Sequence, residues 1–248
     1  MRGADLVIRS RLNHSWGVSI AENIASLQAR VAAACERAGR SPGDVLLQAV
    51  SKGQPATAVD EAAQAGLLIF GESKVQEAKA KIPLCSGKLS WHMIGHLQSN
   101  KCRDAVQLFA LIQSVDSLPL AEEISRRCAQ ASRTMPILLE VNVAGEASKF
   151  GYPPTRLLDE LAAINALPRI EVQGLMTIAP YASEPEKARP YFRQLRDLKL
   201  RCEDRLSVGL PQLSMGMSGD FEVAIEEGST LVRVGTALFG ARTSPAPG

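Results

Sequence analysis

The stretch Val45-Leu-Leu-Gln-Ala-Val50-Ser51-Lys52-Gly53-Gln54-Pro55 joins a short apolar run to a loop that carries a single lysine. An uncharged run of this length is typical of a strand that is buried on both faces. Glycine and proline then end the strand. A helical pattern over Thr57–Ala65 follows the loop. The stretch therefore predicts one strand–loop–helix unit.

The same unit recurs along the chain. Seven further apolar runs are Leu67–Phe70, Leu89–Ile94, Leu111–Val115, Ile137–Val143, Val172–Met176, Gln212–Met215 and Leu231–Val234. Further helical patterns are Lys74–Lys81, Lys101–Phe109, Leu118–Ala131, Thr155–Asn165, Glu186–Leu206 and Phe221–Glu227. Eight strands separated mostly by helices indicate right-handed crossovers and a parallel sheet. We predict a (β/α)8 TIM-type barrel, with an open doubly wound sheet as the alternative.

One helical pattern precedes the first strand. Its apolar residues Ile20, Ile24, Leu27, Val31 and Ala34 recur at spacings of three and four, and the helix is expected to end near Gly39. Because the segment after the eighth strand is too short for a full closing helix, we expect this extra N-terminal helix to cover the gap. The chain, 1–248, is expected to form a single domain with frayed ends at about 1–15 and 243–248.

Composition excludes several classes of protein. The chain of 248 residues is 46% hydrophobic and 22% charged, which is ordinary for a globular protein. No apolar stretch reaches the roughly 20 residues of a membrane-spanning helix. A net charge of +2 with interspersed signs gives no reason to expect nucleic acid as a partner. Five scattered cysteines without a CxxC pair predict free thiols in a reducing cytosol, and no close ligand set predicts a metal site.

Lys52 is the first candidate for chemistry. In such a barrel, working residues lie at the carboxyl ends of the strands, and Lys52 follows the first strand. Desolvation lowers a lysine's pKa, and a neutral amine can attack an aldehyde to form a Schiff base. The alternative is a solvated loop lysine.

A second cluster follows the seventh and eighth strands, where this architecture usually holds a phosphate. Ser214-Met-Gly-Met-Ser218 offers hydroxyls and opens a helix, and Arg233-Val-Gly235-Thr236 again places a glycine beside a hydroxyl. A Schiff-base lysine facing a phosphate site suggests pyridoxal 5′-phosphate.

Two histidines and a set of surface charges are open to more than one interpretation. His92 and His96 are candidate acid/base groups or ring contacts of the cofactor, but the favoured alternative packs His92 inside the barrel and places His96 at the rim. Glu222, Glu226 and Glu227 are expected on a solvated helix face. Arg193 and Arg196 are interpreted as surface groups that confer solubility.

These residues, taken together, resemble the pyridoxal phosphate homeostasis protein family from about Ile20 to Arg242. The matching motifs are Val50-Ser-Lys52-x-x-Pro55, Gly71-Glu, Val75-Gln-Glu77, Trp91-His-x-Ile-Gly-His-Leu-Gln-Ser-Asn-Lys101, Gly174-Leu-Met176, Leu213-Ser-Met-Gly-Met-Ser218 and Val232-Arg-x-Gly-Thr236. The resemblance implies a barrel similar to the amino-terminal domain of alanine racemase. It also implies a cytoplasmic protein that balances pools of vitamin B6 and amino acids without strong catalysis, with amino acids and apoenzymes as further partners.

The resemblance also implies residue roles. Lys52 would carry the cofactor, and Ser214, Ser218, Gly235 and Thr236 would hold its phosphate. Arg233 would meet either the pyridine nitrogen or the phosphate. Ser73 stands where the family commonly has asparagine near the cofactor ring, so a ring contact is expected to differ there.

An amino-acid racemase is the main alternative function, and a Schiff-base aldolase is a third. Racemases of this barrel type add a second domain and a partner's tyrosine. The chain ends shortly after the eighth strand, so the sequence favours the carrier and a monomer. Tyr152 and Tyr181 lie in no recognisable catalytic motif.

Overall fold

The computed structural model describes residues 19–240, and eight parallel strands close into a barrel within that range. The strands are β1 (Leu46–Val50), β2 (Ile69–Glu72), β3 (Ser90–Met93), β4 (Leu111–Val115), β5 (Met135–Glu140), β6 (Ile170–Met176), β7 (Gln212–Ser214) and β8 (Leu231–Val234). Each strand pairs with its sequence neighbour, and β1 also pairs with β8. The predicted barrel is confirmed, and the open sheet is wrong because no edge strand remains.

Helices surround the barrel. They are α1 (Ile20–Arg37), α2 (Ala56–Gln64), α3 (Val75–Lys81), α4 (Cys102–Leu108), α5 (Leu118–Gln130), α6 (Pro154–Asn165), α7 (Arg189–Leu206), α8 (Phe221–Glu226) and α9 (Thr236–Phe239). The ends that the sequence predicts to fray, 1–15 and 243–248, lie outside the described residues. Within the described residues, no helix has the length and apolar character needed to cross a membrane.

Helix α1 closes the outer ring, as its position in the sequence predicted. Ser19 and Glu22 form a reciprocal cap that fixes its first turn. The helix contacts α2 on one side and α8 and α9 on the other. Because α9 has only four residues, α1 supplies the apolar cover for the junction of β8 and β1. The Asn23 side chain donates to the carbonyl oxygen of Leu238 at 2.9 Å.

The fold has two buried regions of different character, one between the strands and the surrounding helices and one inside the barrel. Apolar side chains fill the shell between strands and helices. Inside the barrel, Leu111, Leu138 and Met176 form a separate small cluster. Since side chains alternate along a strand, Gln113 shares the inward face of β4 with Leu111. It binds Gln48 across the lumen, so much of the barrel interior is polar.

Two sequence expectations differ from the structure. Strand β2 extends to Glu72, beyond the predicted end of the strand at Phe70, and the Glu72 side chain is fully buried. Glu227, expected on a solvated face, has a side chain only 5% exposed. In both cases a cation explains the burial, because Lys81 binds Glu72, and three α7 arginines (Arg189, Arg193 and Arg196) bind Glu227.

Candidate functional site

A cavity of about 440 Å³ opens at the carboxyl ends of β1, β7 and β8. Its volume lies within the usual range for a small-molecule site. Five of the predicted site residues line it: Lys52, Ser218, Arg233, Gly235 and Thr236. Three predicted site residues, Ser73, His92 and Ser214, do not. The cavity therefore unites the lysine after the first strand with the two loops that the sequence associated with phosphate.

Lys52 is held in a tight turn directly after β1. Ser51 closes the strand with a backbone hydrogen bond from its amide to the carbonyl of Gly71, at 3.1 Å. Gly53 then takes a φ of +73°, a conformation that side-chain-bearing residues rarely adopt. The turn ends the strand and places Lys52, which is partly buried, on the wall of the cavity.

The loop after β7 also depends on a glycine. Gly216 has a φ of +93°, and a Cβ atom on it would lie 2.6 Å from the Cβ of Ala224 in α8. Asp220 fixes the other end of the loop, because its carboxylate accepts a 2.6 Å hydrogen bond from the amide of Met217. This places Ser218 and Gly219 against the cavity.

In the loops after β7 and β8, three backbone amides at the cavity have no acceptor within the described part of the chain. They belong to Ser218, Gly219 and Thr236. A Cβ atom on Gly219 would meet nothing within 4 Å, so the space beside it is open. Amides of this kind beside a loop and a helix start favour an anion. The amide of Gly235 differs, because it donates to the Ser218 hydroxyl at 3.3 Å, as does that of Ala237.

Arg233 is a buried cation at the cavity and is only 4% exposed. Its guanidinium donates to the Ser214 hydroxyl at 2.6 Å and to the carbonyl of Thr177 at 2.7 Å. Burial lowers its pKa to about 10, against the opposing effect of Glu140 and Asp220. The group therefore stays charged at neutral pH and brings a fixed positive charge to the cavity.

Ser214 and His92, two of the predicted site residues, lie in a hydrogen-bonded chain inside the barrel and do not line the cavity. The Ser214 hydroxyl donates to Gln113 at 2.7 Å, and the amide nitrogen of Gln113 lies 3.0 Å from His92 Nδ1. Burial lowers the pKa of His92 to about 4, so the ring is neutral. The predicted packing of His92 inside the barrel agrees with this position.

Ser73 and His96 belong to a neighbouring cavity of about 410 Å³ beyond β2 and β3. His96 lies 3.1 Å from a carboxylate oxygen of Asp116 and stacks on Phe150 with ring centres 3.8 Å apart. His96 is thus at the rim, as the sequence predicted. The substitution that the resemblance identified at Ser73 concerns this second cavity.

Tyr181 and Glu140 were not predicted from the sequence as site residues. The exposed ring of Tyr181 lines the cavity, whereas Tyr152 is buried and donates to Glu160. Glu140, at the end of β5, is 7% exposed. Burial raises its pKa to about 7, with Asp116 adding to the rise and Arg233 opposing it. The signal for Glu140 was its position at a strand end. No group of three or more histidine, cysteine or acidic side chains within residues 19–240 is placed to hold a metal ion.

The chain is similar to known proteins over nearly all of its length. The model of the alanine racemase N-terminal domain family matches residues 20–243. A pyridoxal phosphate homeostasis protein of Pseudomonas aeruginosa is 46% identical over 230 residues, covering 92% of this chain and 98% of the relative. One of Aquifex aeolicus is 44% identical, covering 89% of this chain and 97% of the relative.

Solved structures agree on the fold. PipY of Synechococcus elongatus with pyridoxal phosphate bound has a TM-score of 0.80 and 39% identity, covering 90% of this chain and 100% of PipY. Alanine racemase of Clostridium difficile has a TM-score of 0.67 at 16% identity, and the match covers 90% of this chain and 58% of the racemase. At this identity the likeness shows the barrel fold alone.

Proposed function

This chain belongs to the pyridoxal phosphate homeostasis protein family, and we propose that it holds pyridoxal 5′-phosphate in the cavity, attached to Lys52. The resemblance that the sequence motifs predicted is confirmed by the family match. The observation that carries the proposal is one cavity with a lysine on its wall and three open amides in its loops. The donors suit a phosphate, and the lysine suits an aldehyde.

When bound, the cofactor would supply an aldehyde, a group that reacts with primary amines. Lys52 on the cavity wall would hold the cofactor by supplying that amine from its Nζ. The amides of Ser218, Gly219 and Thr236 and the Thr236 hydroxyl bind the phosphate. The hydroxyl of Ser218 already accepts the amides of Gly235 and Ala237, so it fixes the loop beside them.

We assign Arg233 to the ring nitrogen rather than the phosphate. Its guanidinium is directed by Ser214 and Thr177 inside the barrel, whereas the open amides lie in the loops above. A cation at the ring nitrogen keeps that nitrogen unprotonated and weakens the withdrawal of electrons on which most such enzymes depend. This supports a carrier without strong catalysis.

The proposed role is to keep cytoplasmic vitamin B6 and amino-acid pools balanced, as a monomer that exchanges cofactor with apoenzymes. An exchange assay tests whether the protein retains its cofactor or delivers it to other proteins. The loaded protein is mixed with an apoenzyme that requires the cofactor, and the recovery of that enzyme's activity is followed. Sedimentation of the purified protein tests the monomer.

Borohydride reduction followed by peptide mapping tests the attachment. The adduct is expected on Lys52, and Lys52→Ala should remove the Schiff-base absorption band while Lys74→Ala keeps it. An adduct on Lys74 or Lys101 would overturn the assignment.

A turnover assay separates the carrier from the racemase that the sequence kept as an alternative. Enzymes commonly turn over at about 1–1000 per second. Racemisation of alanine or serine within that range would overturn the carrier function.

A further inference from the structure

Lys81 is a buried amine that the proposed function does not use. Its side chain, at the end of α3, is only 8% exposed. The ammonium donates to the carbonyl oxygen of Ser51 at 2.7 Å, to Glu72 at 2.7 Å and to Glu77 at 2.9 Å. All three donors of the ammonium therefore have acceptors, which is the condition for burying such a charge.

The contacts of this group converge on the two neighbours of Lys52 in the chain. On one side, Lys81 holds the carbonyl of Ser51, whose hydroxyl donates to Glu72 at 2.7 Å. On the other side, the amide of Gly53 donates to Glu77 at 2.5 Å. The backbone before and after Lys52 is thus bound to a single set of charges on β2 and α3.

The cluster is electrostatically costly. Burial raises the pKa of Glu72, against the lowering effects of Lys81 and Ser51, and its second carboxylate oxygen has no hydrogen-bond partner in the described structure. Burial also acts to raise the pKa of Glu77, but the hydrogen bonds from Lys81 and Gly53 outweigh it and the pKa is lowered. Because well-packed apolar side chains often replace buried ions without loss of stability, stability alone is a weak reason for this arrangement.

We propose that Lys81, Glu72 and Glu77 form a positioning cluster that directs Lys52 toward the cofactor aldehyde. The cluster fixes the backbone at Ser51 and Gly53, and so restricts the directions open to the side chain between them. Misplacing a reacting group by about 1 Å can slow a reaction roughly a hundredfold. This inference rests on the proposed attachment of the cofactor to Lys52.

Glu77→Ala is the informative variant. The Glu77 side chain is 30% exposed, and Lys81 keeps Glu72 and Ser51 as partners, so the variant should fold. Loss of the Glu77 carboxylate leaves the amide of Gly53 without its acceptor. Glu77→Gln keeps a carbonyl acceptor and should restore much of the effect. Asp104→Ala is the matched control, because it removes a partly exposed carboxylate of α4 that pairs with Lys79 of α3.

The experiment compares two ligands. The rate of Schiff-base formation with pyridoxal 5′-phosphate is followed by absorbance, and the affinity for pyridoxine 5′-phosphate, which lacks the aldehyde, is measured by calorimetry. Glu77→Ala should slow Schiff-base formation by about tenfold or more and leave the affinity for pyridoxine 5′-phosphate within about twofold. Amide hydrogen exchange across 51–55 should also quicken in the protein without cofactor.

Two results would overturn the positioning role. One is Schiff-base formation in Glu77→Ala at the wild-type rate. The other is an equal fall in the rate of Schiff-base formation and in the affinity for pyridoxine 5′-phosphate, which would mean general damage to the cavity. If the wild-type protein forms no adduct on Lys52, the proposed function itself fails. Hydrogen exchange then still reports whether Glu77 holds the 51–55 turn, so the two failures are distinguishable.

Discussion

The Arg233 guanidinium donates a 2.6 Å hydrogen bond to the hydroxyl of Ser214, a fully buried residue on the neighbouring strand. Ser214 in turn donates to Gln113. The resemblance assigned this serine to the phosphate, but its hydroxyl has both a donor and an acceptor inside the barrel. We therefore expect it to act on the cofactor through the arginine.

Ser214→Ala should weaken pyridoxal 5′-phosphate binding by about tenfold, because one hydrogen bond to a charged group contributes about 1.5–3 kcal/mol. The reason is an unrestrained Arg233 rather than a lost phosphate contact. Fluorescence titration measures the change. Ser125→Ala is the control, since it removes a buried hydroxyl that donates to Pro168 in a different part of the fold. Equal effects of the two variants on binding would contradict the role of Ser214.

Thr236→Ala should weaken binding of pyridoxal 5′-phosphate by roughly tenfold and barely affect pyridoxal. Thr236 lies at the cavity at the start of α9, where we place the phosphate. Pyridoxal lacks that group but keeps the aldehyde. Parallel titrations of the two vitamers measure the difference. Equal affinity of the wild-type protein for both would place the anchoring elsewhere in the barrel mouth.

Glu140 should make the stability of the fold depend on pH. Burial raises its pKa from 4.5 to about 7. Between these values Glu140 binds more protons in the folded chain than in the unfolded chain. Its contribution to the free energy of unfolding is therefore complete below about pH 4.5 and is lost as the pH rises through about 7. Linkage puts its size at about 3 kcal/mol or less.

Glu140→Gln isolates that contribution. The lowered pKa of His92 acts in the opposite direction, since its stabilising effect grows as the pH rises from about 4 toward 6.5. The informative quantity is therefore the difference between variant and wild type in urea unfolding at about pH 5 and about pH 8. The free energy of unfolding of the variant, relative to that of the wild type, should be larger at about pH 8 than at about pH 5. An unchanged difference would argue against a raised pKa.

Glu227→Ala should destabilise the fold by about 1–3 kcal/mol, because it removes the shared acceptor of three α7 arginines. The arginines are partly exposed, so water takes over some of their hydrogen bonds. Glu184→Ala, which breaks an exposed pair with Lys187, should change stability by less than about 0.5 kcal/mol. Chemical denaturation of both variants makes the comparison, and similar losses would count against the buried pairing.

The elements and the position of Lys52 were predictable from the sequence, because buried parallel strands have short apolar runs and working residues follow them. Helix α1 was also predictable, because Ile24, Leu27 and Val31 recur at the spacing of one helix face. Its covering role followed from the short segment after β8.

The buried charges were not predictable in the same way. Glu72 and Glu227 appear in the sequence as ordinary acidic residues, which are almost always exposed. Their burial depends on cations from other elements, Lys81 in α3 and the arginines of α7. Only the i,i+4 spacing of Glu77 and Lys81 hinted at one of these pairs. Likewise, Ser214 could be placed at a strand end, but its hydroxyl partners lie on β4 and β8.

The closure of the barrel has a consequence for biosynthesis. Strand β1 pairs with β8, and Asn23 of α1 bonds to Leu238, 215 residues later in the chain. A ribosome that adds roughly 5–20 residues per second would leave this edge of the nascent sheet unpaired for on the order of ten seconds or more. Exposed strand edges promote aggregation. We therefore expect the newly made chain to depend on chaperones until the last strand emerges from the exit tunnel.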